Sequence, residues 1–73
     1  MGAKRTRRYS ITQSVFNYLE AAGHIIIRAR EPAGRLVIYR IDNQVFTGAS
    51  ASQREARDIL SQMFEDYLLG GNN

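Results

Sequence analysis

The chain has 73 residues, no cysteine and one histidine, and its formal net charge is +3. A chain of this length forms one domain, and its composition excludes disulfide bonds and zinc sites made of thiolates or clustered imidazoles. Hydrophobic residues make up 44% and charged residues 23% of the sequence, as in ordinary globular proteins. Because it shows neither a signal peptide nor an apolar run near the roughly 20 residues of a membrane span, we expect a cytoplasmic protein without a membrane partner.

The charge is distributed unevenly along the chain. Residues 1–40 hold eight basic and two acidic residues, whereas residues 41–73 hold two basic and five acidic ones. Nine of the ten basic residues are arginine, whose planar guanidinium group pairs well with phosphate and carboxylate groups. This distribution favours an anionic partner, either nucleic acid (RNA or DNA) or an acidic protein, and it also permits two copies of the chain to associate.

The first nine residues are expected to form a flexible basic arm, because they contain four positive charges and show no periodicity. An amphipathic helix follows, since apolar residues recur at helical spacing between positions 11 and 22. Ser10 is the expected N-cap, and Gly23 is the residue expected to end the helix.

Two strands are predicted next, over residues 24–30 and 35–42, because β-branched residues are frequent there and the apolar period changes to two. The intervening Glu31-Pro32-Ala33-Gly34 is typical of a type I turn followed by a left-handed residue, which pairs Glu31 with Arg35. This register places on the expected core face Ile25, Ile27, Ala29, Val37, Tyr39 and Ile41. It places on the opposite face Ile26, Arg28, Arg30, Leu36, Ile38 and Arg40.

A short third strand is expected at residues 45–47, after a turn at Asn43 and Gln44 that puts Phe46 opposite Ile41 on the core face. Ser52 and Glu55 then have the spacing of a capping box, which predicts the start of a second helix. The apolar stripe of that helix comprises Ala56, Ile59, Leu60, Met63, Phe64, Tyr67 and Leu68. Gly70 is expected to end it, and residues 71–73 are expected to be a disordered tail.

The predicted fold class is therefore α+β. Residues 10–70 should form a single domain, a two-layer α-β-β-β-α sandwich in which an antiparallel three-stranded sheet carries both helices on one face. The other face of the sheet has no third layer to cover it.

Catalysis is not expected. Acidic residues lie singly, in turns or on the polar side of the second helix, and His24 lies alone at a helix-to-strand junction, so no acid–base pair is recognisable. The sequence also has no phosphate-binding glycine loop, nucleophile elbow or metal-ligand spacing. We therefore predict a protein that is not an enzyme, with no catalytic residue, no metal and no cofactor.

Arginine-rich surfaces are the candidate binding sites. The arm can follow a phosphate backbone, and the uncovered sheet face would present guanidinium groups among aliphatic side chains. The same face is a candidate interface of a homodimer. Alternatively, these arginines only cover apolar surface with their aliphatic stems. The candidate nucleic-acid-binding residues are Lys4, Arg5, Arg7, Arg8, Arg28, Arg30, Arg40, Arg54 and Arg57.

The element order and residues 48–57, GASASQREAR, resemble a double-stranded RNA-binding domain. In that family a Gly/Ser-rich stretch precedes a helix that opens with Lys-Lys-x-Ala-Lys, and these basic residues hold phosphates across the major groove. The resemblance implies that Arg54 and Arg57 occupy two of the three basic positions, with Gln53 at the other. It also implies that the first helix faces a minor groove with Thr12, Gln13 and Asn17. The loop at residues 31–34 lacks the histidine of the family.

The sequence thus predicts a small non-catalytic nucleic-acid-binding or regulatory protein that forms a homodimer. The alternative is a protein-interaction module, an adaptor or inhibitor, that engages an acidic partner through the same arginines. A catalytic RNA-cleaving toxin ranks last. Small toxins of that topology have a catalytic histidine after Gly-Ser, which Ala22-Gly23-His24 does not reproduce.

Overall fold

The computed structural model describes residues 10–70, which form two helices and a three-stranded antiparallel sheet in the predicted order α-β-β-β-α. The elements are α1 (Gln13–Ala21), β1 (Ile26–Arg30), β2 (Leu36–Ile41), β3 (Gln44–Val45) and α2 (Ser50–Leu69). Strand β2 lies between β1 and β3. The α+β fold class is thereby confirmed, whereas the predicted arm at residues 1–9 and tail at residues 71–73 lie outside the described residues.

Helix α1 ends as its sequence predicts. The Gly23 N–H donates to the Glu20 carbonyl at 3.0 Å and the His24 N–H donates to the Leu19 carbonyl at 3.1 Å. Gly23 has a φ of 104°, a conformation that glycine adopts readily because it has no Cβ. The start differs from the prediction, because Thr12 and not Ser10 occupies the N-cap position.

The turn between β1 and β2 also has the predicted geometry. The Glu31 N–H donates to the Arg35 carbonyl and the Gly34 N–H donates to the Glu31 carbonyl, both at 2.8 Å. Gly34 has a φ of 95°, as the left-handed position of this loop requires. The pairs nearest the turn follow the predicted register, with Arg28 opposite Ile38 and Ala29 opposite Val37.

A β-bulge changes the register farther from the turn. Ile27 pairs with Arg40 and Ile26 pairs with Ile41, so Tyr39 is an additional residue of β2 with no partner in β1. The predicted pairs of Ile27 with Tyr39 and of Ile26 with Arg40 are therefore wrong. The bulge inverts the side-chain alternation of β2 beyond Tyr39, which puts Ile26 and Ile41 on the same face.

The core lies between the two helices and the sheet face that the sequence analysis assigned to the outside. Ile26 and Ile38 are 6% and 0% exposed, whereas Ile25, Ile27 and Tyr39 are 54%, 48% and 41% exposed. The predicted core face is thus wrong at these five positions and at Ala29, which is also exposed, whereas Val37 and Ile41 are buried as predicted. The buried residues that form the core cluster are Val15, Phe16, Leu19, Ile26, Ile38, Ile41, Phe46, Ala56 and Leu60.

Strand β3 is shorter and lies closer to β2 along the chain than predicted. Gln44 pairs with Ile41, and the turn is formed by Asp42, with a φ of 53°, and Asn43. The predicted pairing of Phe46 with Ile41 is therefore wrong. Phe46 is nevertheless buried, as predicted, and its N–H donates to the carbonyl of the bulged Tyr39 at 2.9 Å.

Helix α2 begins at Ser50, before the predicted capping box. The Ser52 Oγ accepts a hydrogen bond from the Thr47 N–H at 2.9 Å, so this side chain closes the loop and does not cap the helix. Tyr67 and Leu68, at the far end of the predicted apolar stripe, are largely exposed. Neither helix within residues 10–70 combines the length and apolarity needed to cross a membrane.

Candidate anion-binding site

The first half of α2 lies along the edge of β2 that the short β3 does not cover. Gln53 binds the backbone of Ile38 as a neighbouring strand would, because its Oε1 accepts from the Ile38 N–H at 2.8 Å and its Nε2 donates to the Ile38 carbonyl at 2.7 Å. The Nε2 also donates to the Thr47 carbonyl at 2.7 Å. These bonds satisfy backbone groups at the sheet edge and hold the start of the helix beside β2.

A pocket of about 400 Å³ opens at this junction. None of its lining residues within residues 10–70 is acidic, and three are arginine. The lining residues are Arg35, Ser50, Gln53, Arg54 and Arg57. The pocket therefore concentrates positive charge on one concave surface.

Helix α2 contributes four of these residues, and helical spacing explains why they line one pocket. Ser50, Arg54 and Arg57 stand at positions i, i+4 and i+7, which share one face of a helix. Glu55 projects from a different side, where its Oε2 accepts a hydrogen bond from the Gln44 amide at 3.3 Å. The acidic neighbour in the sequence thus does not enter the pocket.

Hydrogen bonds to the backbone orient two of the guanidinium groups. Arg35 donates to the Gly48 carbonyl at 3.0 Å, and Arg57 donates to the Leu36 carbonyl at 2.9 Å. A guanidinium group has five N–H donors, so each of these arginines keeps further donors for a ligand. Because the side chains are already held, binding an anion would cost them less conformational entropy.

The start of α2 adds positive potential to the pocket. The N-cap residue is Ala49, which has no side chain able to cap the helix, and the first turn contains no acidic residue. The N-terminus of a helix carries about half a positive charge, which favours a nearby anion. Arg54 and Arg57 are also like charges at i, i+3, and their mutual repulsion would be relieved by an anion between them.

The other candidate arginines of the described chain do not join this pocket. Arg28 lies on the helix-bearing side of the sheet, 3.9 Å from the centroid of the Phe16 ring and paired with Glu20 at 3.0 Å. Arg30 donates to the Gly34 carbonyl at 2.7 Å.

Arg40 donates to the Asp42 carbonyl and pairs with Ile27 on the opposite side of the sheet. The predicted arginine face made by Arg28, Arg30 and Arg40 is therefore wrong, since the structure does not bring these three residues together. The physical reason is the bulge at Tyr39, which inverts the alternation of β2 and so puts Arg40 on the face opposite to Arg28 and Arg30.

Sequence reasoning found Arg54 and Arg57 but missed Arg35 and Ser50. Arg35 is 19 positions from Arg54 in the sequence, and only the docking of α2 beside β2 brings the two into one pocket. The arm residues Lys4, Arg5, Arg7 and Arg8 lie outside the described residues. On α1, two of the predicted groove-facing residues bond to each other, with the Gln13 amide donating to the Asn17 Oδ1 at 3.0 Å.

The single histidine belongs to a separate group of hydrogen bonds. Asp42 accepts from the Ile25 N–H at 2.9 Å through Oδ1, and its Oδ2 lies 2.9 Å from the His24 Nδ1. The Ile25 N–H and the His24 ring lower the pKa of Asp42 below its ordinary value, because both stabilise the carboxylate. The group ties the end of α1 to the turn between β2 and β3.

Within residues 10–70, no three His, Cys, Asp or Glu side chains cluster as a metal site would require. The chain has no significant match among protein-family models, curated proteins or solved structures. Its α-β-β-β-α order is consistent with a resemblance to the double-stranded RNA-binding domain, and membership of that family is not established by these comparisons.

Proposed function

We propose that the protein is a non-catalytic nucleic-acid-binding protein that holds phosphate through Arg35, Arg54 and Arg57. The observation that carries this proposal is that three arginine side chains line one pocket, and that none of its lining residues within residues 10–70 is acidic. Phosphate suits such a site because it accepts several charge-assisted hydrogen bonds at once and also complements a helix N-terminus. Nucleic-acid binding through this site does not require the arginine face of the sheet that the sequence predicted.

The basic residues near the N-terminus of the sequence support the same function. Lys4, Arg5, Arg7 and Arg8 contribute four charges that can neutralise phosphates without reading a base sequence. In this proposal they supply general electrostatic affinity, whereas the pocket makes the oriented contact. A protein that binds nucleic acid without cleaving it could act as a regulator by blocking access to the bound segment.

Replacing Arg54 with glutamine tests the pocket. We expect the affinity for nucleic acid to fall about tenfold at low salt, because an oriented, charge-assisted hydrogen bond contributes about 1.5 kcal/mol. The slope of log K against log salt should also become shallower by about 0.9 on duplex DNA. Fluorescence anisotropy with duplex RNA, duplex DNA and single strands over a salt series measures both quantities.

Arg30→Gln is the matched control, because it removes the same charge from an exposed arginine outside the pocket. Equal losses in Arg30→Gln and Arg54→Gln would show that only total charge matters and would reject the pocket. If duplex RNA, duplex DNA and single strands all fail to bind at low salt, the nucleic-acid proposal fails, and an acidic protein partner becomes the better explanation.

We also propose that two copies associate through the outer face of the sheet, opposite the helices. The corrected register makes this face more apolar than the sequence predicted, with Ile25, Ile27, Tyr39 and Val45 all largely exposed. Ile27, Tyr39 and Val45 come from the three strands and Ile25 directly precedes β1, so they form a surface and not isolated exposed positions. Val37, on the same face, is only 1% exposed, so the exposed surface lies toward the end of the sheet away from the β1–β2 turn. A second copy would cover this surface, and small domains often gain stability from such association.

Sedimentation velocity at micromolar concentration tests the dimer. The wild-type chain is expected to sediment as a dimer and Val45→Lys as a monomer, because a two-fold interface would bring the introduced charges together in an apolar surface. Glu55→Lys, on the exposed side of α2, is the control and should remain dimeric. A monomeric wild-type chain would reject the proposal.

A further inference from the structure

We infer that the pocket of Arg35, Arg54 and Arg57 takes a terminal phosphate, a phosphomonoester at the end of a strand or on a nucleotide, and not a phosphodiester within the backbone. This inference rests on the proposed function and specifies the chemical group that the site recognises. It follows from the charge of the pocket, from its shape and from the hydrogen bonds that already orient Arg35 and Arg57.

The charge of the pocket exceeds that of one phosphodiester. A phosphodiester carries a single negative charge on two free oxygens, whereas a phosphomonoester carries about 1.5 to 2 negative charges on three oxygens at neutral pH. Three arginine side chains line this pocket, and the helix N-terminus beside it carries about half a positive charge. The monoester therefore gains more electrostatic energy at this site and uses more of its donors.

The arrangement of the arginines also favours one terminal group over a continuous backbone. A surface that binds along a single nucleic-acid strand needs cations spread along a groove. Arg54 and Arg57 instead stand about one helical turn apart, and Arg35, which directly precedes β2, lines the same pocket. The volume of about 400 Å³ lies within the range of sites for small molecules and accommodates a phosphate with its sugar. The pocket is open to solvent, so a terminal group can enter it end-on.

The remaining wall of the pocket is fixed by its own hydrogen bonds. Both Nε2 hydrogens of Gln53 are accounted for by bonds to the Ile38 and Thr47 carbonyls. Gln53 consequently acts as a rigid wall, and the hydroxyl of Ser50 is the neutral donor that remains beside the guanidinium groups. Backbone carbonyls already hold Arg35 and Arg57. Further contacts from the pocket to the third oxygen of a phosphomonoester therefore add affinity at little entropic cost.

The test compares three single-stranded oligonucleotides of one sequence, with a 5′-phosphate, with a 3′-phosphate or with hydroxyl groups at both ends. Wild-type protein should bind one or both phosphorylated forms about tenfold more tightly than the hydroxyl form, which is the effect of one additional charge-assisted hydrogen bond. The preferred end identifies the source of the phosphate. Adenosine 5′-monophosphate should compete with the phosphorylated oligonucleotide, and adenosine should not.

Variants show whether the preference belongs to this pocket. Arg54→Gln and, independently, Arg35→Gln should abolish the preference, whereas Arg30→Gln should retain it. Thermal unfolding of each variant confirms that it is folded under the binding conditions. Arg54 is exposed on α2, so its replacement leaves the core intact.

Three results would overturn the inference. Equal affinity for all three oligonucleotides would reject the terminal phosphate and leave nucleic-acid binding standing. A preference that persists in both Arg54→Gln and Arg35→Gln would place recognition outside the pocket. Failure of every oligonucleotide to bind would instead reject the proposed function itself, and the inference with it.

Discussion

Replacing Gln53 with alanine is expected to lower the free energy of unfolding by about 3 kcal/mol, a large part of the roughly 5–15 kcal/mol typical of native proteins. The variant leaves without their partner the N–H and carbonyl of Ile38, a residue that is 0% exposed in the wild-type structure. Each buried polar group that loses its partner costs about 1–3 kcal/mol. The Thr47 carbonyl loses a bond as well, but it lies in an exposed segment and can bind water.

Urea unfolding followed by circular dichroism measures this effect. Gln62→Ala is the matched control, because it makes the same substitution in the same helix at an exposed position whose amide bonds only to Asp66. Its effect should stay within about 0.5 kcal/mol. Gln53→Glu should be at least as damaging as Gln53→Ala, since a carboxylate would face the Ile38 and Thr47 carbonyls. If Gln53→Ala were as mild as Gln62→Ala, the helix would not be closing the sheet edge through this side chain.

Two neighbouring isoleucines in β1 should respond very differently to alanine. Ile26→Ala is expected to cost about 3 kcal/mol, within the range for removing a buried isoleucine side chain, because Ile26 lies in the core cluster. Ile27→Ala should cost about 1 kcal/mol or less, since its side chain is 48% exposed. The difference arises from the alternation of side chains along β1, which directs Ile26 toward the helices and Ile27 toward the other face of the sheet.

Equilibrium unfolding of the two variants compares them directly. Each measurement is made at two protein concentrations, so that an effect of Ile27→Ala on the proposed dimer is separated from its effect on the folded monomer. A larger loss for Ile27→Ala than for Ile26→Ala, unchanged by concentration, would show that the helices cover the opposite face of the sheet.

Signals that act over a few residues predicted the structure correctly. Gly23 ends α1, and the Pro32-Ala33-Gly34 turn joins the first two strands, because the required backbone conformations depend on the residues at those positions. The periodicity of residues 56–64 likewise predicts an α2 whose Ala56 and Leu60 are buried. Local geometry thus accounts for the element order and for the α+β class.

The choice of core face could not be made in the same way. Ile25, Ile26 and Ile27 are all apolar, so hydrophobicity alone does not say which of them point inward. A bulge adds a residue without leaving a mark in the apolar pattern, and a shift of one position exchanges the faces of a strand. The predicted arginine face depended on that register and was lost with it.

The candidate site likewise combines features set by nearby residues with features set by tertiary packing. The resemblance of residues 48–57 to a double-stranded RNA-binding domain already singled out Arg54 and Arg57, and positions three residues apart are neighbours in any helix. The contributions of Arg35 and Gln53 were decided only by the tertiary structure, in which the short β3 leaves an edge of β2 to be covered by the helix. The sequence by itself determined which elements form, in which order, and where both helices end, since those choices are local. The chain's packing decided which faces meet and which arginines share a pocket, because those choices depend on contacts between residues far apart in the sequence.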